Sequence, residues 1–296
     1  MKFLSIIFIF IVAVTLSGCD KDQIARMLKI PREVNKVPVD AAKVDFSNLS
    51  LNPKNIEVFA EGFNKPHGLG YLDGFIYLSS EGEKTLYRVN IRSKGREIII
   101  NNVNFPHDMI IDQGEVITPL FYQNQLVNIN EGEVREIASG FDGPNGIVEF
   151  ENGWLVSDYN SGSIYKVEQN GAKSLYVAGL SGPAGMVVDL KGNIYVANYL
   201  SSAKSIVKIT NQKRVETIAT QLEKSESLLI DSKDNILIGH EKEGKGAISK
   251  LTPDGKLSLV LQTQLETPIV GPITDGVYLY FVSASGNDSK IYRVKF

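Results

Sequence analysis

The chain has 296 residues, of which 43% are apolar and 22% charged, with a net charge of −3. That is enough chain to bury a large core. The near-neutral balance excludes the basic surface on which nucleic-acid binding depends, so no nucleic acid is expected as a partner. Its one cysteine, Cys19, rules out an intramolecular disulfide and a cysteine-only metal cluster.

The first element is apolar. After Lys2, the stretch Phe3 to Leu16 is almost unbroken hydrophobic sequence of about fourteen residues, short of the ~20 that span a bilayer as a helix. Small residues follow it, which marks a cleavage site. The box Leu16-Ser17-Gly18-Cys19 resembles the bacterial lipoprotein signal, in which the cysteine is acylated and becomes the new N-terminus. An ordinary secretory signal with a chance cysteine is the alternative. The expectation is a signal peptide over 1–18 and lipidation (palmitate-type acylation) at Cys19. The membrane is then a partner through the lipid anchor. Asp20 resembles an inner-membrane retention signal, which points to the periplasmic face of the inner membrane of the bacterial cell envelope. Residues 19–55 carry Pro31, Pro38 and Pro53 and little sustained periodicity, so they read as a tether, with a short helix at Gln23 to Ile30.

Repeats begin next. A marker proline recurs at Pro66, Pro106, Pro144, Pro183 and Pro268, with Ser225 in the equivalent slot, at steps of 38 to 43 residues. After each marker come an apolar strand, a turn and a second strand, among them Phe75-Ile76-Tyr77-Leu78 and Ile194-Tyr195-Val196. In the latter unit the turn Leu190-Lys191-Gly192-Asn193 supplies the positive φ of a tight hairpin. Third strands follow, from Leu86-Tyr87-Arg88-Val89 to Ile291-Tyr292-Arg293-Val294. Six copies of a four-stranded unit predict an all-β fold, a six-bladed β-propeller over 56–296. The sixth copy stops after its third strand, whereas Ile56-Glu57-Val58-Phe59-Ala60 is a spare strand ahead of the first. The N-terminal strand is therefore expected to complete the last blade and close the ring.

Phrases such as Gly-Pro-Asn-Gly-Ile at Gly143 to Ile147 and Asn-Ile-Tyr-Val-Ala-Asn at Asn193 to Asn198 resemble the NHL-repeat and SMP-30/gluconolactonase propellers, a superfamily that includes paraoxonase-type lactonases. The resemblance covers about Ile56 to Phe296. It implies the propeller fold and leaves the activity open, since this fold hosts binding modules and several chemistries.

In such a ring the residues after the marker prolines gather at one mouth of the central channel: His67, His107, Asn145, Ala184, Glu226 and Ile269. Those ending the second strands form a set just outside: Ser80, Leu120, Asp158, Asn198, His240 and Ser283. All three histidines of the chain fall among these positions. Imidazole is the commonest transition-metal ligand and a usual general base. The expected metal group is His67, His107, Asn145 and Glu226, around a divalent ion such as zinc or calcium, with His67 and His107 as catalytic candidates. His67 acting alone as a base is an alternative, and so is plain hydrogen bonding of each histidine to nearby backbone. Asp108, Asn145, Asp158, Asn198 and His240 are expected to bind ligand, although such residues also favour Asx turns.

The resemblance bears on these positions unevenly. Gly143-Pro144-Asn145-Gly146 matches the motif whose asparagine binds the central calcium in gluconolactonase- and paraoxonase-type enzymes. Pro66-His67-Gly68 looks like the motif with the proposed catalytic histidine of the paraoxonase group. Pro106-His107-Asp108 stands where those families have an Asn-Asp pair. In Gly182-Pro183-Ala184-Gly185 an alanine occupies the place of the gluconolactonase ligand and base aspartate. Calcium prefers oxygen ligands, so a histidine at 107 and an alanine at 184 disfavour it. The two-histidine rim resembles instead the zinc propeller lyases that process amidated peptides. Two functions follow. The top face binds a small molecule or a protein partner, or the protein is a metal-assisted hydrolase or lyase of the lactonase/esterase kind.

Overall fold

The computed structural model describes residues 44–112, 114–202, 204–283 and 290–296. The signal segment, Cys19 and the helix expected at Gln23 to Ile30 lie outside the described residues.

Among the described residues, twenty-four strands fall into six antiparallel sheets of four. Strand β1 (Glu57–Glu61) stands first. Blade 1 is β2 (Pro66–Leu72), β3 (Phe75–Ser80), β4 (Thr85–Asn90) and β5 (Arg96–Asn101). Blade 2 is β6 (Ile110–Asp112), β7 (Glu115–Leu120), β8 (Gln125–Asn130) and β9 (Glu133–Ser139). Blade 3 is β10 (Pro144–Phe150), β11 (Gly153–Asp158), β12 (Ser163–Glu168) and β13 (Lys173–Ala178). Blade 4 is β14 (Pro183–Val188), β15 (Ile194–Asn198), β16 (Ser205–Ile209) and β17 (Val215–Ala219). Blade 5 is β18 (Glu223–Ile230), β19 (Ile236–Lys242), β20 (Lys245–Leu251) and β21 (Leu257–Gln262). Blade 6 is β22 (Ile269–Thr274), β23 (Tyr278–Ser283) and β24 (Lys290–Lys295), completed by β1.

The innermost strands touch in ring order, β2 to β6, β10, β14, β18 and β22, and back to β2. The propeller expected from the repeats is thus the fold, and β1 closes it by pairing antiparallel with β24, Val58 opposite Tyr292. This hydrogen bonding completes blade 6 and spares β24 an unpaired edge.

The core lies between blades rather than at one centre. Two-sided burial explains the unbroken apolar runs, such as Met186-Val187-Val188 and Ile236-Leu237-Ile238, in strands covered by a sheet on each side. Outer strands are half-exposed and alternate, as in β17, where Val215 is exposed and Ala219 buried.

The structure moves one boundary. Residues 44–55, read from sequence as the end of a tether, form a strap docked on blades 5 and 6. Phe46 is fully buried in a cluster with Leu237, Ile248, Leu279 and Phe281. Its N–H donates to Asp231 Oδ2 at 2.5 Å. The buried Lys250 ammonium donates to the carbonyls of Phe46 and Ser47 at 2.8 and 2.6 Å. Low periodicity hid this segment, because its order comes from tertiary partners and not from a repeating pattern of its own.

Candidate metal centre at the channel mouth

Each first strand enters the ring through a bulge. In blade 1, Pro66 pairs with Ser80 but Leu69 pairs with Leu78, so one extra residue is fitted on the first strand. The same shift follows Pro144 in blade 3 and Pro183 in blade 4. A bulge re-aims side chains, and here it frees the residue after the marker from the pleat.

Close approach of the inner strands does the rest. A Cβ on Gly68 would meet the His107 carbonyl oxygen at 2.2 Å, and one on Gly146 the Ala184 carbonyl oxygen at 2.3 Å. Any larger residue would push neighbouring blades apart. Serines of the second strands lock these glycines in place. Gly68 N–H donates to Ser79 Oγ at 2.8 Å, and Gly146 N–H to Ser157 Oγ at 2.7 Å. The Ser157 hydroxyl in turn donates to the Ala184 carbonyl at 2.8 Å.

The result is a meeting of three side chains from blades 1, 2 and 5. Glu226 Oε1 lies 3.3 Å from His67 Nε2 and 3.4 Å from His107 Nε2. The three ligand atoms all fall within 4.8 Å of one another. Asn145 joins them, its amide nitrogen 3.2 Å from His107 Nε2. The site is nearly dry, the side chains of His67, His107 and Glu226 being 11%, 7% and 13% exposed.

Burial and proximity set the protonation states. Burial works against protonating His67, but the Glu226 carboxylate overrides it and holds this ring above the ordinary imidazole range. His107 is pushed down to about 3, first by burial and then by the charge of His67. Burial would raise the Glu226 carboxyl, yet the two imidazoles, His67 foremost, keep it below the usual range. These directions favour an ionised Glu226, a protonated His67 and a neutral His107. His107 Nε2 lies 3.4 Å from the same carboxylate oxygen that His67 Nε2 approaches at 3.3 Å, so three donor atoms converge where a cation could replace the proton on His67.

The donor set fits a specific kind of ion. Two imidazole nitrogens and one carboxylate suit zinc or a similar first-row ion with positions left open. With ligand bonds of ~2.05 Å, a tetrahedral centre needs its donors ~3.3 Å apart, the spacing found from Glu226 to each histidine. Calcium, which wants six or more oxygens, fits poorly.

The other expected site residues are placed differently. Asp108 lies beneath the cluster, accepting from the Met109 and Ile147 N–H groups at 2.8 and 3.2 Å, and so ties blade 2 to blade 3. Burial raises its carboxyl to about 6. Asp158 accepts from Asp142 N–H at 2.8 Å, and Asn198 from Ser181 N–H at 2.7 Å. Each thereby fastens the loop that delivers its own blade's marker proline. His240 does not join the other two histidines. Its Nδ1 is 2.8 Å from the Glu241 carbonyl and its Nε2 2.9 Å from Ser249 Oγ, both within blade 5. Repeat arithmetic placed it at the right end of the ring, but an outer position leaves it packed inside its own blade.

Aromatic rings border the centre and were largely missed. Phe105 makes edge contacts with His67 and His107, at 5.3 and 4.8 Å between centroids. Phe121 lies 5.8 Å from His107, Tyr159 6.0 Å from Phe121, and Tyr199 5.9 Å from Tyr159. Phe105 has φ of 53°, a strained conformation for a bulky residue. The signal was available: Phe121, Tyr159 and Tyr199 each directly follow the last residue of a second strand.

No family model matches this sequence, and a search of curated proteins finds no match. Solved structures do match. A gluconolactonase from Xanthomonas campestris superposes with a TM-score of 0.70 at 11% identity, covering 94% of this chain and 95% of that one. The calcium-binding protein regucalcin from Agrobacterium tumefaciens gives 0.63 at 12% identity, over 80% and 92% of the two chains. This chain shares the six-bladed propeller fold of gluconolactonase and regucalcin. A virginiamycin B lyase from Staphylococcus aureus is also similar, with a TM-score of 0.60 at 13% identity over 81% and 98%. At such identities the likeness is one of fold.

Proposed function

We propose that this propeller is a lipid-tethered cell-envelope enzyme that acts as a hydrolase or lyase on a small carbonyl substrate, a lactone or ester, with a divalent cation held by His67, His107 and Glu226. The observation that carries it is the single oxygen Glu226 Oε1 standing 3.3 and 3.4 Å from two imidazole nitrogens. The occurrence of a gluconolactonase and a lyase among proteins of this fold supports the same reaction class.

When bound, such an ion polarises a carbonyl or lowers the pKa of water. The chain's own residues do the remainder. His67 gives up its proton on loading, since a ligand imidazole must be neutral. The Asn145 amide holds His107 Nε2 until an ion takes that nitrogen, and Asp108 locks the backbone that carries His107 against blade 3. The aromatic border excludes water, which strengthens every charge interaction at the centre. A face used only for binding is supported less well, because Asp158, Asn198 and His240 are engaged in hydrogen bonds within their own blades.

Metal analysis and a lactone and ester panel test this reading. Stoichiometric zinc, lost together with hydrolysis in His67→Ala and His107→Ala, is expected. A protein that takes up no divalent metal on titration would overturn it.

The anchor belongs to the same proposal. Glu226 lies near the start of β18, whereas Asp231, which grips the strap, follows its end. Five residues at ~3.3 Å rise separate the two by ~16 Å, so the strap docks away from the site. Cys19→Ser should release the protein from membranes, and unchanged fractionation would count against lipidation.

A further inference from the structure

The first and second strands of each blade join at a turn on the end of the ring away from the metal centre. These far turns differ around the ring. Blades 1 and 3 expose an acid there, Asp73 and Glu151. Blades 4 to 6 expose aliphatic or basic side chains instead: Leu190 and Lys191 in blade 4, Lys233 in blade 5 and Val277 in blade 6. Lys295 and Phe296, at the end of β24, join them.

The blade 4 to 6 sector is continuous. Leu190 N–H donates to Asp234 Oδ1 at 3.1 Å, which links the turns of blades 4 and 5. The strap crosses blade 5 where Phe46 meets Asp231. The Phe46 ring lies 6.0 Å from that of Phe296, whose N–H donates to the Val277 carbonyl at 3.2 Å. Leu190, Val277 and Phe296 are nonetheless 61%, 50% and 37% exposed. The lysines lack counter-ions. At the mouth, Lys204, Lys224 and Lys245 each pair with a glutamate, whereas Lys191, Lys233 and Lys295 make no ion pair among the described residues. Of the acids nearby, Asp234 and Asp275 accept turn N–H groups, and Asp45, which is exposed, accepts from Ser47 N–H.

We propose that this sector rests on an anionic bilayer, with Leu190, Val277 and Phe296 entering the headgroup region while Lys191, Lys233 and Lys295 meet lipid phosphates. Interfacial binding grows with the apolar area buried and with the attraction of basic side chains to anionic lipid, and the sector offers both. Its apolar groups stand singly on turn tips and a chain end beside lysines. That suits a soft headgroup layer better than the close-packed core of a protein interface. Chain connectivity agrees: Val44, where the strap begins, accepts from Ser232 of the blade 5 turn, and the sequence before it holds the apolar stretch Phe3 to Leu16. The inference goes beyond the anchor in assigning the face that meets lipid, and it needs neither the metal nor acylation of Cys19.

The test uses the full chain carrying Cys19→Ser, which leaves no other thiol. An environment-sensitive fluorophore is attached at Leu190→Cys or, as a control, at Leu200→Cys, a leucine 58% exposed just after β15 at the mouth. On vesicles of phosphatidylglycerol and phosphatidylcholine, brominated lipid should quench the label at position 190 and spare the one at position 200. Combining Lys191→Glu with Lys233→Glu should weaken vesicle binding at least about tenfold. Equal quenching at the two positions, or an affinity unchanged by the double substitution, overturns the inference. A dimer in sedimentation that Phe296→Ser dissociates would give the face to a second copy and overturn it too. No readout involves zinc, turnover or the acyl group, so failure of the hydrolase reading or of the lipid anchor leaves these outcomes as they are.

Discussion

Glu226 Oε1 and His107 Nε2 face each other at 3.4 Å from opposite blades of the ring. Charge-assisted hydrogen bonds are shorter, ~2.7–2.9 Å, whereas 3.4 Å matches the spacing of two ligands on one tetrahedral ion. Asn145 donates to the same His107 Nε2 that would bind an ion, so loading displaces that bond and frees the amide to turn its oxygen to the ion. Asn145→Ala should then weaken zinc binding by about tenfold, and Glu226→Gln should weaken it more. Competition titration against a chromophoric chelator measures both. An Asn145→Ala protein with wild-type affinity would remove Asn145 from the site.

Acid should destabilise the metal-free protein through His107. Its folded pKa is depressed to about 3 from 6.5, so between these values the unfolded chain binds a proton that the folded chain does not. Stability is lost as pH falls through that window, by ~1.4 kcal/mol per pH unit at most from this one group. Glu226, also depressed, acts with the same sign at lower pH. His67 acts oppositely, because its raised pKa adds stability below 6.5 that disappears as pH rises through the folded value. Urea melts of wild type and His107→Gln from pH 4 to 7 should show a flatter acid limb in the variant. Parallel curves would contradict the assignment.

Neighbouring inner strands leave no room at Gly68, where an added Cβ would lie 2.2 Å from a backbone oxygen of the next blade. Gly68→Ala should cost at least ~1–3 kcal/mol and lower zinc affinity together with stability, since it displaces His67 from His107. Chemical denaturation and metal titration on the same sample separate this from a purely local effect. A stable variant with normal zinc binding is the contrary result.

The strap should matter although it lies far from the metal centre. Phe46 is fully buried against blades 5 and 6, and Phe46→Ala should cost ~3–5 kcal/mol. Removing Lys250 leaves the Phe46 and Ser47 carbonyls without their donor, so Lys250→Met should destabilise less than Phe46→Ala but still measurably. Equilibrium unfolding of the chain from residue 44 onward reads both. No loss in either variant would mean that the strap only rests on the ring.

Much of this was legible before any coordinates. The spacing of Pro66, Pro106, Pro144 and Pro183, the alternation of apolar runs with turns and the spare strand ahead of the first repeat specify a closed six-bladed ring, because every strand's partner except that of β1 is a near neighbour in sequence. The same arithmetic put His67, His107, Asn145 and Glu226 at one mouth. What it left open was which of these side chains meet. His240 obeys the repeat yet is bonded within blade 5, and Asp158 and Asn198 serve their own loops. The strap's docking was equally out of reach, whereas the positions of Phe121, Tyr159 and Tyr199 after their second strands were there to be read. Local pattern determines pairing and periodicity, since these depend on residues a few positions apart. Contacts across a channel depend on bulges, on glycines that let backbones close to within a carbonyl's reach, and on the twist of six sheets at once. Only the folded ring decides those distances, and the chemistry of the site lies in them.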